Sequence, residues 1–509
     1  MKRILLIAIP FLLHVAAFCQ FRPLDFDPAS DGIEFSGIPK TWTSHACVNT
    51  RQKKVLITFV TSDRVLYYLV DTTFKILAQY SIARNSLAVD YFGQKYEAVL
   101  QTTFDNSVKT YVRKKDGKKI IVEKIDLTTK TSTTYDFLKL NSDEKFLTAF
   151  EHNEHNYFLT LVKDVQKLRV YTDSSSNAKE IELHSADGSL QIDLEANLKE
   201  ILVIRDSKQP ELYDCFNPAK LYIQENGQIT ITLDSNYQFT TIFKINLNEF
   251  SCETKFMRKD FSVCNGPHEP ESLQTGSFIY RDKILQGVFC KNNLLIQLKN
   301  ISSGSVIKRF YATSDSAIDF SSSDLMRREK GKKYRVGPLW FIGLGFLDGE
   351  ISYEKENQSQ FTTRDFFKAV KYANFSFLMT SSSGYLVLKI GESHGAEKSG
   401  KNSMSYVDGA GYVTTPLRPT MNTFYWTGSG WDFSSQLDQI DTYFTSVMTY
   451  DSLELVPESR VNTKCDKIDN VKNKLKEVVF GSVAFDFNHM TYLFYRNVSD
   501  LRFEVLRIE

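Results

Sequence analysis

Apolar and polar residues alternate with a period of two along most of this chain, in short runs bounded by Asn, Asp, Gly, Ser and Thr. Successive side chains of a strand point to opposite faces, so this rhythm predicts half-buried β-strands. The runs fall into sets. Val55 to Val60, Val65 to Val70 and Phe74 to Tyr80 form the first, and Tyr96 to Thr102, Val108 to Arg113 and Lys119 to Asp126 the second. A third covers Lys145 to Phe150, Tyr157 to Val162, Leu168 to Thr172 and Glu180 to His184. Lys220 to Ile223, Ile229 to Leu233, Thr240 to Leu247 and Cys252 to Met257 make a fourth, and Ser277 to Tyr280, Ile284 to Phe289, Leu294 to Leu298 and Val306 to Tyr311 a fifth. Asp116-Gly117 and Asn226-Gly227 suit the positive dihedrals of tight hairpin turns.

Sets of three or four short antiparallel strands, recurring every roughly 45 to 75 residues, have the grain of a β-propeller. The expectation is all-β, with about six to eight blades. The competing architecture is two or three consecutive β-sandwiches. Strands return at Ser482 to Phe487, Thr491 to Tyr495 and Leu501 to Arg507, which a propeller needs if its first and last blades are to join.

Two segments break the rhythm, predicting insertions near 312–350 and 391–436. Ser314 to Lys333 is rich in Ser and charge, with Arg327, Arg328, Lys330, Lys332, Lys333 and Arg335 close together, and reads as a solvated loop. Gly391 to Thr420 reads as a long loop or mobile hairpin. Thr362 to Tyr372 predicts a short helix, since Thr362 and Asp365 are spaced as a capping box and Phe366, Phe367 and Val370 share a side. Cys465 to Val478, with Ile468, Val471 and Leu475 on one face, predicts another.

The start of the chain sets an address. Lys2 and Arg3 precede an apolar stretch from Ile4 to Phe18, and Ala17-Phe18-Cys19 fits a cleavage site, so residues 1–19 read as a signal peptide and 20–509 as the exported body. The apolar run is too short for a membrane span, and none is expected after cleavage. Bulky Phe18 before Cys19 disfavours lipid anchoring there. The expected location is the periplasm, cell surface or exterior. Without Cys19, six cysteines remain: Cys47, Cys215, Cys252, Cys264, Cys290 and Cys465. Export permits disulfides, with Cys252 and Cys264 the most local candidates.

Composition narrows partners. Sixty-two basic against sixty-one acidic residues provide no global field for nucleic acid. Thirty-eight Phe and twenty-five Tyr suit a pleated, packed surface. Chemistry is sparse. His152 and His155 lie three apart in a predicted turn, which is not the i, i+4 spacing of a helical zinc site, and no metal or cofactor is expected. The sharpest binding candidates are Phe424, Tyr425, Trp426, Trp431 and Asp432 around Thr427-Gly428-Ser429-Gly430, where exposed rings would stack on a sugar and the carboxylate would bond its hydroxyls. Trp340 in Pro338-Leu339-Trp340-Phe341-Ile342 is a further candidate for docking a partner; buried strands are the alternative for both groups. The resulting expectation is an exported, non-catalytic binding or scaffold protein acting on a protein or glycan. Its alternative is a carbohydrate-active enzyme drawing on acids such as Asp206, Asp214, Asp319, Asp348, Asp432 and Asp441.

Overall fold

The computed structural model describes residues 21–23 and 43–508, apart from 50–51, 61–63, 84–95, 115–117, 153–154, 164, 166, 174, 184–197, 199–200, 206–211, 213, 224–227, 265–272, 337–346, 359–361, 383, 396–402, 409–410, 417–423, 427–430, 458–466, 469–470, 472–474, 476–478, 488–489 and 498–502. The leader and both predicted Gly-containing hairpin turns lie outside the described residues. The chain divides into two compact units, one of residues 1–181 with 464–509 and one of residues 182–463.

In the first unit, Thr43–Asn49, Lys54–Val60, Arg64–Val70 and Ile76–Ala83 pair in chain order as a four-stranded meander. Tyr96–Phe104, Ser107–Lys114, Lys119–Asp126 and Thr131–Lys139 make the next, and Glu144–His152, His155–Val162, Lys167–Thr172 and Ser175–Glu182 the third. The fourth joins the two ends of the chain. Phe21–Pro23 pairs with Phe503–Ile508, Phe21 opposite Leu506, and Met490–Asn497 and Val479–Phe487 follow.

In the second unit, Leu202–Arg205, Ala219–Ile223, Gln228–Leu233, Phe239–Asn246 and Ser251–Arg258 form one sheet whose first two strands are parallel. Leu273–Tyr280, Lys283–Cys290, Asn293–Asn300 and Val306–Thr313 form another. The last runs Asn374–Ser382, Tyr385–Gly395, Trp431–Thr449, Met326–Val336 and Leu347–Gln358 in space, with Phe424–Trp426 and Leu455–Val456 added along Trp431–Thr449. The fold is a β-propeller, with seven blades among the described residues. Successive meanders of this kind set aside the sandwich alternative.

The alternating pattern understated how much each blade buries. Every residue of His155–Val162 after the first is buried, and so are the six central residues of Asn293–Asn300. Inner strands lie between neighbouring blades and lose both faces to solvent exclusion, whereas the outermost Thr131–Lys139 exposes its first six residues. Apolar clusters fill the spaces between blades. Leu56, Tyr67 and Leu69 pack with Val108, Val112 and Ile125, while Tyr111, Ile120 and Val122 pack with Phe158 and Tyr171.

The basic segment is not the predicted solvated loop. Arg327 to Arg335 lie within Met326–Val336, a strand paired on both sides, and Arg328 is buried. A buried guanidinium needs a carboxylate, and Asp441 on the neighbouring strand supplies it. The segment from Gly391 is also more regular than predicted, because Tyr385–Gly395 continues into it and Ser403–Asp408 pairs with Gly411–Pro416. Gly391 must be glycine for packing: an added Cβ would lie 2.1 Å from the Thr442 carbonyl oxygen.

The predicted helix forms as α1, Thr363–Tyr372, with Thr362 as N-cap and Asp365 completing the capping box. Phe366, Phe367 and Val370 are buried on the core of the second unit. Of the later predicted helix, Ile468, Val471 and Leu475 pack on Leu493, Tyr495 and Leu506, and the Leu475 amide donates to the Val471 carbonyl at 3.1 Å. Cys264 is bonded to Cys290, correcting the local pairing with Cys252, which remains a free thiol. Sequence proximity was a poor guide because the loop after Ser251–Arg258 crosses to the end of the next blade's strand Lys283–Cys290.

Candidate functional site

The aromatic candidates meet in one backbone ladder. Phe424 opposes Ser434, Tyr425 opposes Phe433 and Trp426 opposes Trp431, with Asp432 in the same strand. Their side chains, like Trp340 as a whole, lie outside what is described. His152 ends Glu144–His152 and His155 begins the next strand directly opposite, so both belong to strand ends and not to an open turn. Burial lowers the His152 imidazole pKa, and His155 is exposed. Among the described residues no group of three or more His, Cys, Asp or Glu is arranged to hold a metal.

A cleft instead opens in the second unit where the first interruption of the strand rhythm meets the capped helix. It has a volume of about 620 Å³ and is lined by the loop after Val306–Thr313 and by the start of α1. The loop is Ser- and Asp-rich and would be mobile alone, but Phe320 anchors it. That ring is 2% exposed, 5.1 Å from Phe310 and 5.5 Å from Phe444. Polar bonds fix the backbone on either side. Ser322 N–H donates to the Thr445 carbonyl at 2.7 Å, the Val447 amide donates to Ser322 Oγ at 2.9 Å, and Ser446 Oγ donates to the Phe320 carbonyl at 2.6 Å.

The opposite wall is set by the helix cap. Thr362 Oγ1 donates to Asp365 Oδ2 at 2.7 Å, and the Asp365 amide returns a bond to Thr362 Oγ1 at 3.3 Å. The Thr362 hydroxyl and, at 3.1 Å, the Thr362 amide both donate to this carboxylate and hold it below its ordinary range. Phe366, one residue on, packs edge to face against Phe444 at 5.4 Å, so both walls rest on one aromatic cluster. Arg364 Nη2 reaches Asp315 Oδ1 across the cleft at 3.0 Å. Both side chains are more than 70% exposed, so water screens the pair and a ligand can exchange with it. Ser316, Ser321, Ser323, Asp324 and Thr363 line the space together with the apolar Ile318 and Leu325; Ser321 Oγ donates to the Ser323 carbonyl at 2.6 Å, and Ser323 Oγ donates to the Asp324 carbonyl at 2.8 Å and accepts from the Thr445 amide at 2.9 Å. Such a surface offers many donors and acceptors and a small apolar floor, the requirements of a polyhydroxylated ligand.

Elsewhere, buried charges are held by structural partners. Asp441 Oδ2 accepts from Arg328 Nε at 2.8 Å, and Ser393 Oγ bonds its other oxygen. Glu144 accepts from Arg169 Nη1 at 2.5 Å and from Tyr171 OH at 2.8 Å. Asp234 is the most enclosed. Lys259 Nζ lies 3.3 Å and Lys220 Nζ 3.6 Å from its oxygens, while Thr240 Oγ1, Ser277 N and Ser277 Oγ donate to it at 2.7, 2.8 and 2.7 Å. Burial alone would raise this carboxyl, but the two ammoniums and the hydroxyls hold it at about 2. Glu123 is held less completely. Burial raises its pKa; Ser132 Oγ donates to one oxygen at 2.8 Å, and the other has no hydrogen-bond partner among the described residues.

Of the acids singled out in the sequence, Asp319 is exposed and Asp441 is ion-paired. Asp206 lies outside the described residues, as do the side chains of Asp214, Asp348 and Asp432. The cleft was missed because its walls are distant in sequence. The visible signal was the Ser- and Asp-rich break followed by a capped helix, two features read separately.

No known protein family and no curated protein matches the chain. Among solved structures it is similar to one from a mechanistic study of two prolyl endopeptidases, at 5% identity and a TM-score of 0.27, over 76% of this chain and 61% of that one. It is also similar to dihydro-haem d1 dehydrogenase NirN in complex with DHE (10% identity, TM-score 0.22, 54% of this chain and 67% of that one). A third is prolyl oligopeptidase B from Galerina marginata bound to a 25mer macrocyclization substrate (13%, 0.26, 51% and 31%). The chain thus spans about 61% of the first of these proteins.

Proposed function

We propose that this chain is an exported, non-catalytic binding protein whose propeller presents the cleft of its second unit to a glycan. The observation that carries the reading is the cleft itself: a pocket of about 620 Å³ lined by serine and threonine residues and by the solvent-exposed Asp315–Arg364 pair. That volume lies within the several-hundred-Å³ range of small-ligand sites. Sugar hydroxyls would replace water on those groups, and a ring face would rest on Ile318 and Leu325. Export is supported by the leader pattern of residues 1–19 and by the Cys264–Cys290 bond, which persists in oxidising compartments. No helix among the described residues is long and apolar enough to cross a membrane.

The test has two parts. N-terminal sequencing of protein recovered from envelope and medium should begin at Gln20, and an intact Met1 would defeat the export reading. The purified protein is then applied to an array of neutral glycans beside Arg364→Ala. Binding by the wild type, weakened in the variant, is the expected result. Array sugars that disappear as shorter products accumulate would move the reading to a carbohydrate-active enzyme.

A further inference from the structure

Away from the cleft, the first blade of the second unit carries two aromatic pairs at one end of its outer hairpin. Phe239 and Phe256 meet edge to face at 5.3 Å, and Tyr237 and Phe261 do so at 6.0 Å. Tyr237 is 51% exposed, and the other three are partly exposed. An edge-to-face contact covers an edge of one ring and leaves other ring surface open, which is the surface on which a sugar stacks.

These rings are held in place before any ligand arrives. Gln238 Nε2 donates to Tyr237 OH at 3.1 Å, Gln238 N–H to Asn236 Oδ1 at 2.8 Å, and the Lys259 amide to the Gln238 carbonyl at 2.8 Å. On the other side, the Ser262 amide donates to Asp260 Oδ1 at 2.9 Å and the Cys264 amide to the Phe261 carbonyl at 2.9 Å. The Cys264–Cys290 bond then ties this loop to the next blade. Fixing the rings in advance lowers the entropy lost on binding.

Two guanidiniums are tied to the same elements as the rings, one by the ladder and one through Asp260. Arg258 is exposed and directly opposite Phe239 in the ladder. The side chain of Arg309 is 60% exposed and its Nη2 lies 3.2 Å from Asp260 Oδ2, beside Phe261 in sequence. Asp260 also accepts from Gln297 Nε2 at 2.9 Å, so the carboxylate orients Arg309 while most of the guanidinium faces water. Stacking rings next to oriented cations suit a ligand with both a ring face and a negative charge.

We propose that this aromatic shelf is a second binding site, taking an acidic polysaccharide whose sugar ring lies on Tyr237 and whose carboxylate meets Arg309 and Arg258. None of its residues lines the cleft. The test is affinity electrophoresis of the mature protein through gels containing polygalacturonate or an uncharged glucan. Polygalacturonate should retard the wild type and the glucan should not. Tyr237→Ala and Arg309→Gln should each weaken retardation about tenfold, and the arginine variant should also lose part of the salt dependence. Thr133→Ala, on an exposed strand of the first unit, should migrate as wild type. Cys290→Ser, which frees the loop bearing Phe261, should weaken retardation without abolishing it. The shelf is overturned if polygalacturonate does not retard the wild type, if both shelf variants are retarded like it, or if the glucan retards it equally. Retardation lost in Arg364→Ala and kept in Tyr237→Ala would place the acidic sugar in the cleft and equally overturn the shelf. A protein captured from envelope extract through Tyr237, with no retardation by polysaccharide, would assign the shelf to protein docking and also overturn the proposal.

Discussion

Replacing Asp234 with alanine should be among the most damaging single changes in the second unit. The carboxylate neutralises one of two ammoniums, both on side chains no more than 1% exposed, and accepts three hydrogen bonds. Its removal leaves Lys220 and Lys259 without the opposing charge and strands the Ser277 amide, the Ser277 hydroxyl and the Thr240 hydroxyl. Breaking a buried ion pair from one side costs about 3–5 kcal/mol. Each orphaned donor adds about 1 kcal/mol or more, less whatever rearrangement recovers, so a loss of about 5 kcal/mol is expected. Adding Lys220→Met to Asp234→Ala should restore part of this, about 1–3 kcal/mol, because one unpaired buried ammonium disappears. Native-state hydrogen exchange of the strand Phe239–Asn246 reads the second unit specifically, which whole-chain melting of two compact units does not. A loss below about 1 kcal/mol for Asp234→Ala, or no recovery in the double variant, would refute the argument. The pH dependence follows from the same site. A carboxyl lowered from 3.8 to about 2 contributes stability that is complete above pH 4 and lost as pH falls toward 2.

Glu123→Gln should have the opposite effect and stabilise the first unit by about 1 kcal/mol at neutral pH, since the amide keeps the Ser132 bond and removes a buried charge. Because burial raises the Glu123 pKa, the native state holds its proton more tightly; the wild type should therefore lose stability as pH rises above 4.5, and Glu123→Gln should lack that slope in urea titrations. Reducing the Cys264–Cys290 bond, which closes a separation of 26 residues, should lower the stability of the second unit by about 3.5 kcal/mol, read by native-state hydrogen exchange of the strand Phe239–Asn246 with and without reductant. Gly391→Ala should destabilise the last blade, since the new methyl collides with the Thr442 carbonyl; a wild-type urea midpoint would contradict that geometry.

The strands were legible because period-two alternation survives where both faces are buried, as at Ile229 to Leu233, and because short apolar runs such as Leu294 to Leu298 are bounded by polar turns. The capping box at Thr362 and Asp365 was equally plain, being local chemistry with a fixed spacing. What the pattern could not convey was which distant segments become neighbours. Arg328 sits in a basic run that resembles a solvated loop, and only its pairing opposite Asp441, 113 residues later, makes it a core residue. Arg364 and Asp315 are separated by 49 residues, so the cleft between them had no sequence signature. Cys264 paired across blades and not within its hairpin for the same reason. The aromatic segment Phe424 to Trp431 stood out through its rare tryptophans, whereas Tyr237 and Phe261 were lost among many ordinary aromatics.

If the cleft of the second unit binds a glycan, the sugar should leave it unchanged. Calorimetric titration of the strongest array ligand into wild type, Arg364→Ala and Ser323→Ala, with chromatography of the sugar recovered afterwards, tests it most directly. The wild type should bind saturably, Arg364→Ala should bind about tenfold more weakly, and the sugar should be recovered intact. Equal affinity in all three proteins, or recovery of the sugar as shorter fragments, would contradict it.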